Sequence, residues 1–252
     1  CTLDGRGFSI KNWTSDGVSL VDNVAKGAVI QNIVIDKTCK VTPAAGYFGM
    51  LANRISGQMI GCRNESDVTF TIDGSKQYIF GPLAGRLVDA EANMQSCTNA
   101  GDITITVAPS EPMQETQYFG GVVGVVGIAS DALRLDSCIN EAEIFTVQAI
   151  NPSPGTNGNL KSIYVGGIAG GSGLNNGAAS AKNYGQIKNC VNKAAIFTSW
   201  NGGTGGYFTV GGIIGASECE LVSCTNEGGV SYTNSDTAPN AAPRIGGIAG
   251  AL

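Results

Sequence analysis

A short pattern that occurs five times along this chain limits the folds that it can adopt. The pattern is an apolar residue, two variable positions, Cys, one residue, Asn, three residues and then Val or Ile. Self-similarity of this kind is typical of repeat proteins, in which each copy stacks on the next and buries a shared core. The repeated positions are Cys62, Cys97, Cys138, Cys190 and Cys224; Asn64, Asn99, Asn140, Asn192 and Asn226; and Val68, Ile103, Ile144, Ile196 and Val230.

A glycine-rich element alternates with this pattern, in forms such as "FGGVVG", "VGGIAG" and "IGGIAG". Successive copies are 32 to 46 residues apart, and the variation falls in polar linkers. A constant strand core with linkers of variable length predicts an all-β parallel β-helix (solenoid) of about six to seven coils. Residues 1–252 are expected to form a single repeat domain. Because the last copy, "RIGGIAGAL", would leave an unpaired strand edge, we expect this domain to be a fragment of a longer chain.

The first coil indicates what the cysteines do. In "VIQNIVIDKTCKV", Ile33 takes the Cys position and Cys39 takes the Val/Ile position. Since Cys and Ile exchange places, we expect a buried column of thiols that act as small apolar side chains. Disulfide bonds are disfavoured because stacking holds the Cβ atoms of neighbouring cysteines about 4.8 Å apart. A chemical role for the thiols is disfavoured even more than disulfide bonds. Cys1 and Cys219 lie outside the column, and for them bridged, free and lipidated states stay open.

The repeated asparagine follows one apolar segment and precedes the next, so it is predicted to lie at a corner. Asn tolerates left-handed backbone and bonds its own main chain. Stacked in register, its amide would also bond the Asn of the next coil, which gives an internal ladder. A direct contact of Asn with a ligand is the alternative.

Composition excludes several functions. The net charge is −5, whereas a nucleic-acid-binding protein needs a basic face. No apolar run approaches the roughly 20 residues of a transmembrane helix. The glycine-rich element repeats without a following Lys-Ser/Thr, so it is not a phosphate loop, and we expect no cofactor. The chain has no histidine, and no catalytic set of residues is apparent.

Acids recur at the position three residues after the Asn, as Asp67, Asp102 and Glu143 in successive coils. Carboxylates about 5 Å apart could perform retaining glycoside hydrolysis, and a cluster of them could hold a cation. A solvated corner is the third interpretation and the favoured one.

Outward positions of the strand that begins at the Val/Ile position predict where a ligand would bind. Phe145 and Phe197 are predicted to stack outside in successive coils, with Trp200 and Tyr207 in a glycine-rich linker beside them. These aromatics form either a binding platform or a patch that the linkers cover. Outward threonines in "TFT" at 69 and "TIT" at 104 also suggest an ice-binding face, but the pattern decays to "FTV" and "FTS" in the next coils.

The segment "VGGIAG…IKNCVNKAAI" resembles the GLUG-type repeats of large bacterial surface proteins, and "TLDGRGFSIKN…GAVIQNIVID" resembles the first coils of pectin-lyase-like right-handed β-helices. The resemblance implies a right-handed helix and an extracellular or cell-surface location. It favours a non-catalytic adhesin-like or ligand-binding stalk, with a glycan or a cell-surface protein as partner. A polysaccharide-active lyase or hydrolase and a purely structural spacer are the alternatives. Thr237, in "DTA", matches an O-glycosylation sequon similar to those of some gut bacteria.

Overall fold

The computed structural model describes residues 1–108, 113, 115–127, 134–150, 161–173, 185–201, 206–234 and 243–252. Within this part of the chain every regular element is a β-strand and no helix occurs. The strands form five large parallel sheets, and each sheet takes its neighbouring strands from successive coils. An all-β fold with stacked parallel sheets is therefore confirmed, and the arrangement is compatible with a parallel β-helix.

Two seven-stranded sheets lie on either side of the corner that carries the cysteines. Sheet 1 contains Thr2–Asp4, Val29–Gln31, Gln58–Ile60, Asn93–Gln95, Arg134–Asp136, Gln186–Lys188 and Glu220–Val222. Sheet 2 contains Ser9–Ile10, Val34–Ile35, Arg63–Asn64, Thr98–Asn99, Ile139–Asn140, Val191–Asn192 and Thr225–Asn226.

Three further sheets, of five, six and seven strands, complete the coils. Sheet 3 contains Val68–Ile72, Ile103–Val107, Ile144–Ile150, Ala195–Asn201 and Val230–Asn234. Sheet 4 contains Gly46–Phe48, Tyr78–Phe80, Gln117–Gly120, Ile163–Gly166, Phe208–Gly211 and Arg244–Gly246. Sheet 5 contains Val21–Val24, Ala52–Ile55, Ala84–Leu87, Val123–Val126, Ala169–Ser172, Ile214–Ala216 and Ala249–Ala251. A two-stranded sheet pairs Thr14–Asp16 with Lys40–Thr42.

The core is a set of columns of inward side chains, because strand residues alternate between the two faces of a sheet. In sheet 1, Ile30, Met59 and Met94 pair in register and are buried. Across the core, the Phe70 ring of sheet 3 meets the Phe80 ring of sheet 4 at 5.1 Å between centroids. Stacking of like positions therefore buries the apolar half of each strand and leaves the polar half outside.

The sharp corner between sheets 1 and 2 is made by a residue with left-handed backbone just before each cysteine position. Examples are Ser96, Ser137 and Asn189, with φ of 52°, 54° and 54°. The prediction that the repeated asparagine supplies this left-handed residue is wrong, because the turn comes three residues earlier and the asparagine is already in a strand. Short polar side chains suit the position because they tolerate the left-handed region best after Gly.

Candidate binding surface

The five repeated cysteines lie in one column along the corner between sheets 1 and 2. Cys62, Cys97, Cys138 and Cys190 are buried, Cys224 is half-buried, and all eight cysteines of the chain are free thiols. The Cys97 Sγ, as an example, lies 3.3 Å from the Gln95 carbonyl and 3.6 Å from that of Met59 in the preceding coil. Burial raises the pKa of the Cys138 thiol well above its usual value. The Cys138 thiol therefore stays protonated and packs as a small apolar group.

Thiol labelling tests this column. We expect all eight cysteines to react with a thiol reagent when the protein is denatured without reductant. In the native protein the exposed Cys1 should react first and the half-buried Cys219 and Cys224 more slowly, whereas the buried thiols should be protected because reaction requires local unfolding. Two or fewer reactive thiols in the denatured protein, measured by intact mass, would contradict the column of free thiols.

The five repeated asparagines are joined by side-chain hydrogen bonds inside the stack. The Asn64 Nδ2 donates to Asn99 Oδ1, and the same bond repeats from coil to coil as far as Asn226, at 2.8 to 3.0 Å. A second Nδ2 hydrogen bond reaches the carbonyl two residues later, as from Asn99 to Gly101 at 2.9 Å. Four of the five side chains are fully buried, so the amides fasten the coils together and are not available to a ligand from solvent.

The glycine-rich element packs directly against this ladder. A Cβ added to Gly167 would lie 2.4 Å from Cγ of Asn192 and 2.1 Å from the Gly212 carbonyl oxygen. A Cβ added to the equivalent Gly121 would meet the Asn140 side chain in the same way. The two sequence patterns therefore occur together because the second glycine leaves the space that the asparagine amide fills.

The acids at the corner before sheet 3 bind backbone amides of the next coil. The Asp67 Oδ1 accepts a hydrogen bond from Asp102 N at 2.9 Å, and the Asp102 Oδ1 accepts from Glu143 N and Ile144 N at 2.9 and 3.0 Å. The described part of the chain contains no group of three His, Cys, Asp or Glu residues arranged to hold a metal ion. Two of the three carboxylates thus stabilise the stacking of coils.

The predicted outward stacking of Phe145 on Phe197 is wrong. Phe145 is fully buried and pairs with Ile103 and Ile196 in register, so it fills the position that the pattern assigned to Ile144. The coil holds one extra residue at Glu143–Ile144, where the Asp102 carboxylate accepts both amides. One extra residue reverses the face of every following side chain in the strand, since side chains alternate with a period of two. Phe197 is exposed, at 47%.

Trp200 and Tyr207 differ in their surroundings. Trp200 belongs to the sheet 3 strand and not to a linker; its side chain is buried, and its ring meets the Phe208 ring edge-on at 5.7 Å between centroids. The expectation that Trp200 lies among linker glycines is therefore wrong, because strand alternation turns it inward. Tyr207 is 44% exposed, and the Arg244 guanidinium lies over its ring at 4.1 Å.

The extra residue also creates an ordered outer surface on sheet 3, which we call the threonine face. Thr146 pairs with Thr104, which pairs with Thr69, and Thr106 pairs with Thr71. Thr146 was not among the residues predicted from the sequence, although Thr146 and Gln148 alternate with the apolar residues Phe145, Val147 and Ala149. The face consists of Thr69, Thr71, Thr104, Thr106, Thr146, Gln148, Phe197, Ser199, Ser231 and Thr233.

The neighbouring outer surface of sheet 2 is charged. The Arg63 guanidinium binds Glu65 in its own coil and Glu141 two coils away, both at 3.0 Å, and Lys193 approaches Glu141 at 3.4 Å. The hydrogen bond from Arg63 holds the pKa of Glu141 below its usual value. The outer surface of sheet 2 thus carries paired charges, whereas the threonine face contains no charged side chain.

A cleft of about 360 Å³ adjoins the threonine face where its first strand ends. It is lined by Thr71, Ile72, Asp73, Ser75, Lys76, Tyr78 and Ala108. Hydrogen bonds from Ser75 hold the pKa of Asp73 below its usual value, so this carboxylate is a poor proton donor at neutral pH.

Thr237 lies outside the described residues. Among the residues that the structure describes, no helix is long and apolar enough to cross a bilayer. Comparisons with protein-family models, with curated proteins and with solved structures found no match.

Proposed function

We propose that this chain is a non-catalytic, ligand-binding segment of a bacterial surface or secreted protein, built as a right-handed parallel β-helix of GLUG-type repeats. The observation that carries the proposal is the uncharged threonine face, displayed on coils that the asparagine ladder holds in register. Regular, extended surfaces are what solenoids use for binding.

An adhesin-like role is favoured over a polysaccharide-cleaving one. Catalysis by an acid pair needs one carboxyl group that donates a proton and another that attacks or activates water. The Oδ1 atoms of Asp67 and Asp102 instead accept hydrogen bonds from backbone amides of the next coil, so these carboxylates hold the coils together. A spacer would need no ordered, charge-free face.

The proposal is tested by measuring binding and turnover on the same material. We expect the purified chain to bind immobilised mucin-type glycoproteins, polysaccharides or whole cells, and to release no reducing ends or unsaturated sugars from polysaccharides. Binding should persist in Asp102→Asn, whereas turnover in the wild type that Asp102→Asn abolishes would establish the enzyme alternative. Failure to bind any of these surfaces would favour the spacer. Protease shaving of intact host cells tests the surface location.

A further inference from the structure

We propose that the threonine face binds a linear, uncharged polysaccharide laid along the stack of coils. This inference rests on the proposed binding function and specifies its ligand. The geometry of the face is regular. Thr69, Thr104 and Thr146 form one column in register, and Thr71 and Thr106 begin a second. Equivalent positions repeat at the coil spacing of about 4.8 Å, and the columns lie roughly 7 Å apart.

A surface that repeats by translation suits a ligand that also repeats. A linear homopolymer parallel to the columns meets a threonine in each of the three coils that carry Thr69, Thr104 and Thr146, so successive sugars there make equivalent contacts. A compact ligand gains nothing from the repetition. Contacts that recur in this way add avidity without requiring any one of them to be strong.

The threonine hydroxyls of this face supply hydrogen-bonding capacity. Within the described part of the chain, the hydroxyls of Thr69, Thr71, Thr104, Thr106 and Thr146 have no protein partner, in contrast to Ser231, whose hydroxyl donates to the Ile196 carbonyl. A threonine hydroxyl both donates and accepts, as sugar hydroxyls do. Two columns of such groups, each beside a methyl group, match the alternation of hydroxyl and C–H edges along a sugar chain.

Phe197 supplies an apolar contact for a sugar ring. It continues the column of Thr69, Thr104 and Thr146 and is 47% exposed. Its side chain is larger than those of Thr146 and Ser231, its neighbours in the column, so it offers an exposed aromatic surface to the C–H face of a sugar ring. The same ring interrupts the flat hydroxyl lattice that binding to an ice surface would need, which favours the glycan.

The absence of charge selects a neutral polymer. None of the ten side chains of the threonine face is ionisable, while the adjoining sheet 2 carries Arg63, Glu141 and Lys193. Binding of an anionic polysaccharide would require basic groups along the track, as it does for other polyanions. Binding on this face should therefore be nearly independent of ionic strength.

The test is affinity electrophoresis of the full chain in native gels that contain soluble neutral polysaccharides (β-glucan, xyloglucan, galactomannan) or anionic ones (pectate, alginate). We expect retardation by at least one neutral polymer, unchanged between about 0.05 and 0.5 M salt. Thr104→Lys and Phe197→Ala should each weaken the apparent affinity at least tenfold. Thr98→Lys is the matched control, because Thr98 is an outward threonine of the same coil on sheet 2, and it should stay within twofold of wild type. The melting temperatures of all variants establish that they are folded.

Four outcomes would overturn the inference. Retardation only by anionic polymers, weakened by salt, would place the ligand on another face. Equal binding by Thr104→Lys and Thr98→Lys would leave the proposed binding function standing but move the site away from sheet 3. Inhibition of ice recrystallisation that Thr104→Lys abolishes, without retardation by any polysaccharide, would make the face an ice-binding one. If the wild type binds neither polysaccharides nor the glycoproteins and cells used above, the proposed function fails together with the inference.

Discussion

Replacement of Gly167 by alanine is expected to lower the free energy of unfolding by about 3 to 5 kcal/mol. The new Cβ would lie 2.1 Å from the Gly212 carbonyl oxygen and 2.4 Å from Cγ of Asn192, so backbone and ladder must both shift. Overpacking alone costs roughly 1–3 kcal/mol, and displacing Asn192 weakens buried hydrogen bonds on either side of it. The change is measured by equilibrium urea unfolding followed by tryptophan fluorescence, with the midpoint and slope fitted separately.

Gly247→Ala is the matched control for this prediction. Gly247 is the corresponding glycine of the last "GG" element, and a Cβ added there meets no atom within 4 Å. Its replacement should change the free energy of unfolding by less than about 0.5 kcal/mol, as for an ordinary exposed position. Equal unfolding midpoints for the two variants would mean that contact with the asparagine ladder does not explain why the two sequence patterns occur together.

Asn140→Ala is expected to lower the melting temperature by roughly 10 °C, which corresponds to about 3–4 kcal/mol for a chain of this size. The Asn140 Oδ1 accepts from Asn99 Nδ2, and its Nδ2 donates to Asn192 Oδ1, both at 3.0 Å, in the middle of a fully buried ladder. Alanine would leave a cavity, and both neighbouring amides would lose a partner where no solvent replaces it. Differential scanning calorimetry measures the shift.

Asn226→Ala distinguishes the contribution of the ladder hydrogen bonds from the general effect of removing an asparagine side chain. Asn226 ends the described ladder, is half-buried, and accepts a single ladder hydrogen bond, from Asn192 at 2.8 Å. We expect a shift of less than half that of Asn140→Ala, because fewer groups lose partners and water reaches the site. A larger shift for Asn226→Ala than for Asn140→Ala would show that the ladder does not act as a cooperative column.

The repeat pattern was sufficient to predict the stack of parallel strands. Repeats with constant spacing have few ways to bury their apolar residues other than stacking in register. The exchange of Ile33 and Cys39 between positions likewise revealed that the cysteine position is apolar. Prediction was less successful at the surface. The acids were visible in the sequence, but their hydrogen bonds to amides of the following coil were not. The glycine-rich element was equally visible in the sequence, yet nothing in the pattern indicated that its second glycine packs on the asparagine.

The sequence by itself determined which residues stack on one another in most coils, since their spacing is constant. Only the tertiary structure decided which face of sheet 3 each side chain of the strand Ile144–Ile150 occupies. There, one extra residue is held by the Asp102 carboxylate, which accepts two amides from a segment about 40 residues further along the chain. This contact between coils moves Phe145 into the core and Thr146 onto the threonine face. The sequence pattern of one coil does not reveal a hydrogen bond to the next coil. Because side chains in a strand alternate with a period of two, a shift of one residue turns every inward side chain outward and every outward one inward.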